Sequence, residues 1–385
     1  MKEWKTYRIG DICKTNSSQY STKEAWDEFL YLDTGNITRN IIEDIVRYAS
    51  AAELPSRARR KVVNDDIIFS TVRPNQCHFG ILSNPPANLL VSTGFTVITA
   101  NKKIVDPYYL YYYLTQDSIV DYLHSIGEQA VSAYPSIKAQ DIEDIEIELP
   151  DLSTQNNIAK TLRALDNKIQ LNRQINDNLE LQAQALYKSW FVDFEPFKDQ
   201  EFVESEFGLI PEGWHCTTIS ELLSIKYGKD HKKLAEGIVP VYGSGGLMRY
   251  VDTKLHDGEA VLIPRKGSLN NVMYVNEAFW TVDTMFYSIP KQEYSCIYAY
   301  LFLANKDLAS MNAGSAVPSM TTDILNNMHI IAPPVEVLKR FNNICDVYFS
   351  RINQNNIENA NLSKQRDTLL PKLMSGELKI NEIDC

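Results

Sequence analysis

The chain is written twice. Trp4-Lys-Thr-Tyr-Arg-Ile9, running into Ile12, returns 210 positions later as Trp214-His-Cys-Thr-Thr-Ile219, running into Leu222. Pro107-Tyr-Tyr-Leu110 through Asp117 returns as Ile297-Tyr-Ala-Tyr300 through Asp307, at an offset of 190. Ser132-Ala-Tyr-Pro-Ser-Ile137 returns as Ser315-Ala-Val-Pro-Ser-Met320, at 183. Each copy then closes on a short apolar alternation and a proline: Ile145, Ile147 and Pro150 against Met328, Ile330 and Pro333. The falling offset makes the first copy 27 residues longer within its globular part. A repeat this long is no solenoid unit. It predicts two whole domains in 385 residues, in keeping with about 150 residues per domain.

Each domain is followed by a second repeated element, read as a helix. Ile158, Leu162, Leu165 and Ile169, then Leu179, Ala183, Leu186 and Trp190, recur at spacings of 4 and 3, and no proline or glycine falls between Leu152 and Phe194. The second copy reads Phe341, Cys345, Tyr348 and Ile352, then Leu362, Arg366, Leu369 and Leu373. Sustained spacing of this kind is a coiled-coil seam. Pro150 and Pro333-Pro334 mark the starts, with Ser153 or Thr154 as a cap for the first helix. The gaps in the ladders fall on Asn172 and Asn176, and on Asn355 and Asn359. Polar residues in a seam lower stability and fix register. Both pairs lie symmetrically about their midpoints. Antiparallel packing therefore sets residues whose numbers sum to 531 opposite one another: Asn172 with Asn359, Asn176 with Asn355, Ile158 with Leu373, Ile169 with Leu362, and Trp190 with Phe341. Leu165 falls opposite Arg366, whose long stem can snorkel. A parallel pairing also matches the Asn layers, but the intervening domain would then have to return the chain along the whole seam, about 48 Å at roughly 1.5 Å per residue. The antiparallel arrangement is expected to place one globular domain at each end of a stiff spacer. The plainer alternative packs each helix onto its own domain as ordinary core.

The globular parts read as β-rich, each with a helix. Strands are expected at Ile67–Val72, Phe95–Thr99 and Ile145–Leu149, and at Ala260–Ile263, Val272–Val275, Met285–Ile289 and His329–Ile331. Helices are expected at Tyr108–Leu123 and Tyr298–Leu308. The stretch from Val192 to Trp214, rich in acidic residues, reads as a solvated, extended link. The fold class is α+β: two β-rich domains and two long helices forming an antiparallel coiled coil, with an internal pseudo-two-fold repeat. The expected boundaries are 1–152, 153–192 (helix), 193–212 (linker), 213–333, 334–375 (helix) and 376–385 (tail).

Composition narrows the classes. Hydrophobic residues make up 44% and charged residues 23%, ordinary globular usage. There is no run of about 18 apolar residues. Met1 to Gly10 is polar and charged, unlike a secretory signal. The six cysteines are scattered without a Cys-x-x-Cys pair, so no disulfide framework or zinc site is expected, and a reducing cytoplasm fits. A net charge of −11 argues against coating nucleic acid by bulk charge, while leaving room for local basic clefts.

A duplicated globular domain alternating with a long helix, with Pro211-Glu-Gly-Trp214 opening the second copy, resembles the specificity subunits of Type I restriction-modification systems. Val239-Pro-Val-Tyr-Gly-Ser-Gly-Gly246, Ile263-Pro-Arg-Lys-Gly-Ser268 and the proline-led helix entries add to the resemblance, which spans essentially the whole chain. It implies two target-recognition domains, each reading half of a split double-stranded DNA sequence. It implies a coiled coil that sets half-site spacing and docks two copies of a modification subunit. S-adenosylmethionine, ATP and Mg are then expected on the modification and restriction subunits, with no cofactor here. The first copy starts at Trp4 without the Pro-x-Gly-Trp lead-in.

Phosphate neutralisation needs local cations. Arg57, Arg59, Arg60 and Lys61 cluster before a strand in the first domain. Lys226, Lys229, Lys232 and Lys233, with His231, cluster in the second. Arg265 and Lys266 follow a strand and lead into Asn270-Asn271, where Arg suits guanine and Asn suits adenine. Arg73, at the strand end Thr71-Val72-Arg73-Pro74, is their counterpart by position. Tyr242 and Ser244 stand at a glycine-rich turn where backbone can approach phosphate. The plainer readings are a solvated surface for the lysines and domain core for Tyr242. Two segments mimic an adenine methyltransferase. Asn84-Pro-Pro-Ala87 lacks the aromatic ring needed to stack a flipped base. The 242–246 glycines lack a clear strand–turn–helix setting. No P-loop and no metal-ligand histidine spacing is present. The expectation is a non-catalytic DNA reader, with a self-sufficient methyltransferase and a DNA-free coiled-coil scaffold as rivals.

Overall fold

The computed structural model describes residues 4–129, 135–311 and 319–379. Residues 132–134 and 315–318 of the third repeated segment, and 380–385 of the tail, lie outside them. The chain divides into two units, 1–171 with 358–385, and 172–357. Each long helix, Leu152–Phe191 and Val335–Met374, gives one half to each unit.

In the first unit, Lys5–Arg8 pairs antiparallel with Glu146–Leu149, joining the start of the domain to its end. A four-stranded sheet follows in the order Val46–Tyr48, Phe29–Leu32, Leu89–Ser92, Ala58–Lys61. A second is ordered Cys13–Thr15, Phe95–Ala100, Ile67–Ser70, Phe79–Ile81. The expected helix splits into Pro107–Leu114 and Asp117–Glu128. Asp106 caps the first by accepting from the Tyr109 N–H at 2.9 Å. Tyr109, Leu110 and Leu114 join Ile158, Leu162, Leu370 and Leu373 in one core, so the start of the first long helix and the end of the second are anchored in the same domain. Burial contributes roughly 1.5–3 kcal/mol for each such side chain.

The second unit repeats the plan with different bodywork. His215–Thr218 pairs with His329–Ala332. A single six-stranded sheet runs Leu223–Tyr227, Met285–Pro290, His256–Pro264, Met273–Thr281, Val239–Gly243, Gly246–Val251. Its two nine-residue strands correspond to pairs of short strands in the first unit, which is why one sheet here is two there. The register proves the match. Ser70 pairs with Phe95 as Pro264 pairs with Met285. The parallel contact of Leu32 with Val91 corresponds to that of Tyr242 with Thr281.

The helical halves run antiparallel within each unit. In the second, Asn355 donates to Asn176 at 2.7 Å, and the Trp190 and Phe341 rings lie 5.8 Å apart. In the first, Arg366 pairs with Asp166 at 2.7 Å and Lys168 with Glu358 at 3.3 Å. Asn172 and Asn355 are buried, while Asn176 and Asn359 are half-buried. The first helix is capped by Asp151, which accepts from the Thr154 N–H at 3.1 Å, rather than by Ser153 or Thr154.

The link between Val192 and Trp214 is not extended. It forms a short turn at Glu195–Phe197 and a hairpin of Phe202–Ser205 with Gly208–Pro211. The reason is apolar content hidden among the carboxylates. Phe197 and Ile210 are buried, and the Phe194 and Phe197 rings stack edge-on against Trp214 at 5.5 and 5.0 Å.

Candidate functional site

The unit 1 site forms where three strands end together. Ala58 pairs with Ser92, and the Thr93 N–H donates to the Arg57 carbonyl at 2.8 Å. On the far side of Ser92, Asp33 leaves the neighbouring strand and accepts from the Thr34 N–H at 2.8 Å. Gly94 packs against Thr34 and accepts from both the N–H and the hydroxyl of Thr71 at 2.8 Å. Arg73 follows two residues on, its backbone left-handed at φ 48° and its N–H donating to the Pro135 carbonyl at 2.9 Å. Asp33, Thr34, Arg57 and Arg73 therefore share one end of the unit.

Three expected DNA-facing cations lie elsewhere. Arg59, Arg60 and Lys61 run away along the strand that Arg57 precedes. Lys61 is held by Glu24 at 2.7 Å and faces the Trp26 ring. Burial lowers the pKa of Arg60, and its Nε finds no hydrogen-bond partner among the described residues. Arg59 bonds the Ser56 carbonyl at 3.2 Å.

In unit 2 the equivalent end collects more charge. The Lys229 N–H donates to the Thr281 carbonyl at 2.9 Å, and the Trp280 indole donates to the Lys229 carbonyl at 2.9 Å. The loop that continues through exposed Lys232 and Lys233 is pinned by Arg249, whose Nη2 donates to the carbonyls of His231 and Leu234 at 2.7 and 2.9 Å. Arg249 was not expected from its sequence position. The N–H groups of Arg265 and Lys266 share the Thr284 carbonyl at 2.9 and 3.2 Å. The Arg265 guanidinium lies 5.5 Å from the Tyr227 ring centre, and Lys266 is exposed. Lys226 is exposed on the edge strand beside them.

The glycine-rich segment closes the hairpin between Val239–Gly243 and Gly246–Val251. Ser244 sits so close to Gly267 that a Cβ there would come 2.6 Å from its hydroxyl oxygen. Gly267 also takes φ +85°, so the close approach and the backbone both call for glycine. Two candidates are tied to their own chain. The Tyr242 hydroxyl donates to Glu277 at 2.7 Å, and burial first, then that carboxylate, raises its pKa. Asn270 spends both ends of its carboxamide on its own chain, donating to Asp307 at 3.1 Å and accepting from the Ala309 N–H at 2.9 Å. Tyr242 is half-buried, and Asn270, though exposed, has its carboxamide committed to its own chain. Asn271 also serves the chain, donating to the Ser244 carbonyl at 2.8 Å.

The parallel-strand register aligns the two sites residue by residue. Since Leu32 corresponds to Tyr242, Asp33-Thr34-Gly35-Asn36 is the counterpart of Gly243-Ser-Gly-Gly246. The signal was present in the sequence at the same 210-residue offset as the two tryptophans. In the same way, Val72 bridges Ser136 as Lys266 bridges Ser319. Arg73 is thereby level with Gly267, one residue beyond Lys266, and both have positive φ.

Neither methyltransferase mimic has the setting its chemistry needs. Asn84 is exposed at φ 47°, with its N–H tied to Asn64 at 2.7 Å, and the 242–246 glycines turn one strand into another. Among the described residues, no group of three or more His, Cys, Asp or Glu is placed to hold a metal ion, and no helix is long and apolar enough to cross a membrane.

The family model of the Type I restriction modification DNA specificity domain matches residues 1–181 and again 211–362. The chain is 27% identical to the HindI specificity subunit of Haemophilus influenzae, over 98% of this chain and 100% of that protein. It is 26% identical to the MjaIX specificity subunit of Methanocaldococcus jannaschii, over 99% of this chain and 95% of that one. Its fold is similar to that of the Type I restriction-modification S subunit from M. genitalium, with a TM-score of 0.57 and 16% identity over 96% of each chain. With the family model falling once on each copy of the repeat, the chain belongs to the specificity subunits of Type I restriction-modification systems.

Proposed function

We propose that each unit reads one half of a split DNA sequence through the strand-end site described above, and that the chain itself performs no chemistry. The observation that carries this reading is the correspondence of the two sites. Two differently built β domains bring cations to the same topological end, on a chain of net charge −11. Lys226, Lys229, Lys232 and Lys233 neutralise phosphates. Arg265, Lys266 and Ser244 in one unit, and Arg57 and Arg73 in the other, face base edges. The excess carboxylates belong to the rest of the surface, so steering toward DNA is local.

The paired helices set the gap between half-sites and dock two modification subunits. Asn172, Asn176, Asn355 and Asn359 fix their register. Docking is supported by apolar side chains left outside the seam in the second unit: Leu181, Ile344, Val347 and Ile357 are 63%, 38%, 66% and 58% exposed. S-adenosylmethionine, ATP and Mg act on the partner subunits, restriction subunit included, and the assembly works in the cytoplasm.

The test is domain exchange in the full chain assembled with its modification subunits. Replacing residues 213–333 by the matching part of another specificity subunit changes one half of the methylated sequence and leaves the other intact. A change in both halves, or binding of S-adenosylmethionine by this chain alone, refutes the reading.

A further inference from the structure

The second unit exposes apolar side chains among its cations. The last pair that joins Val239–Gly243 to the neighbouring strand Met273–Thr281 is Tyr242 with Thr281, so the glycine-rich turn runs on past that strand's end. Leu247 and Met248 follow the turn and are 51% and 57% exposed. The hairpin register shifts at this point. Tyr242 pairs with Leu247 and Val241 with Arg249, which leaves Met248 as the extra residue of a β-bulge. A bulge breaks the alternation of a strand and re-aims a side chain. Met248 is aimed across the turn: a Cβ at Gly243 would come 2.5 Å from its sulfur.

Two contacts hold this apolar edge to cationic segments. Ser244 lies against Gly267, directly after Arg265 and exposed Lys266. Arg249, the residue after Met248, donates to the His231 and Leu234 carbonyls of the loop that carries exposed Lys232 and Lys233. An apolar edge tethered among cations is complementary to a groove of duplex DNA. The phosphates meet the cations. The apolar group that a major groove offers is the methyl of thymine. An unbranched, polarizable methionine conforms readily to so small a target. The first domain lacks the arrangement. By the register that matches Leu32 with Tyr242, Ile37 and Thr38 stand where Leu247 and Met248 do, and Ile37 is buried.

We propose that Met248, with Leu247 beside it, reads a thymine in the half-site of the second domain by packing against its methyl group. This deepens the DNA-reading function proposed above and rests on it. The effect is confined to one half of the target.

The experiment uses the full chain in complex with its modification subunits. Selection from randomised duplexes gives the half-site of the second domain. Each of its thymines is then replaced in turn by uracil, which removes only the methyl, and binding is titrated at one fixed salt concentration. With the unsubstituted protein, uracil at one position is expected to weaken binding about 3- to 5-fold, as loss of one buried methyl should. Met248→Gln keeps the length of the side chain and loses its apolar end. It is expected to bind the thymine and uracil duplexes within about 1.5-fold of each other at that position. Met248→Ala is expected to do the same, and keeps the test open if Met248→Gln fails to fold. A structural role for Met248 predicts a lower melting temperature with the thymine-to-uracil ratio unchanged, and that result overturns the proposal. So does a half-site without thymine. So does a strong rise in 2-aminopurine fluorescence beside the sensitive position, which marks a wedge that unstacks bases. Met248 variants that bind the modification subunits less tightly while keeping their thymine preference also overturn it, since the edge then serves a protein. If the unsubstituted complex selects no sequence at all, the DNA-reading function falls, and this inference falls with it. If it selects a sequence in which no thymine is sensitive to uracil, this inference falls alone.

Discussion

Asp166 makes the sharpest stability prediction. It accepts from Arg366 at 2.7 Å and from the Tyr112 hydroxyl at 2.6 Å, tying both helical halves of the first unit to the domain helix Pro107–Leu114. The Asp166 and Arg366 side chains are 26% and 24% exposed. Burial works against the Arg366 charge, but Asp166, with Asp367, more than offsets it and raises its pKa. Breaking a fully buried pair by removing one partner costs about 3–5 kcal/mol. The quarter exposure, and the ion pair that Arg366 keeps with Asp367 at 2.8 Å, reduce this to about 2–3 kcal/mol for Asp166→Ala. Tyr112→Phe, which loses one hydrogen bond to a charged acceptor, costs about 1.5–3 kcal/mol. The double variant Asp166→Leu with Arg366→Met restores most of the loss, because no charge is left buried. Peptide-resolved hydrogen exchange on the full chain is the assay. Asp166→Ala should accelerate exchange in residues 158–170 and 362–374 by roughly 30- to 140-fold, since 1.4 kcal/mol is a factor of 10. Acceleration below threefold, or a double variant as damaged as Asp166→Ala, refutes the reasoning. The second unit ties its domain helix to the long helix through the Tyr300 hydroxyl, which donates to Glu180, and no arginine–carboxylate pair joins its helical halves among the described residues. At the positions equivalent to Arg366 and Asp166 stand Ala183 and Phe349, the latter ringed by Tyr274 at 4.9 Å and Tyr300 at 5.7 Å, so aromatic packing takes the place of the ion pair there.

Asn176→Leu with Asn355→Leu replaces a bonded polar layer by an apolar one. Urea denaturation should show a gain of roughly 1 kcal/mol, while cross-linking across the seam shows more than one register. Gly228→Ala drives a methyl into the Val282 carbonyl oxygen and should cost about 1–3 kcal/mol by thermal melting, loosening the loop that carries Lys229 to Lys233. Replacing Lys229, Lys232 and Lys233 with Ala should flatten the dependence of log affinity on log salt by about 0.9 for each phosphate that is no longer neutralised, measured by titration at several salt concentrations. Asp33 has a folded pKa below its unfolded value, so its contribution is present above about pH 4 and fades as pH falls through the folded value. Asp33→Asn removes that acid-sensitive component from a urea series run at falling pH.

The order of domains and helices could be read without coordinates because its signals are local or exactly repeated. A helical seam shows as a 4/3 spacing along one segment, and a duplication shows as matched residues at fixed offsets. The facing of Asn176 and Asn355 followed from the midpoint of each ladder. Strand-end residues Arg265 and Lys266 were legible because β-branched runs stop visibly at proline and glycine. The link from Val192 to Trp214 was misread because its carboxylates mask aromatic residues, Phe194 and Phe197, that find their partner Trp214 only in the folded unit.

Sequence by itself determined the two-fold repetition, the paired helices and the broad placing of the cations. Tertiary structure alone decided which cations share a site. It separated Arg57 from Arg59, Arg60 and Lys61, brought Asp33 and Thr34 to the strand end where Arg57 stands, and committed the polar groups of Tyr242 and Asn270 to their own chain. The physical reason is that helix periodicity is a property of neighbouring residues. Pairing between strands is a property of the whole sheet, and no short window of residues records which strands will end side by side.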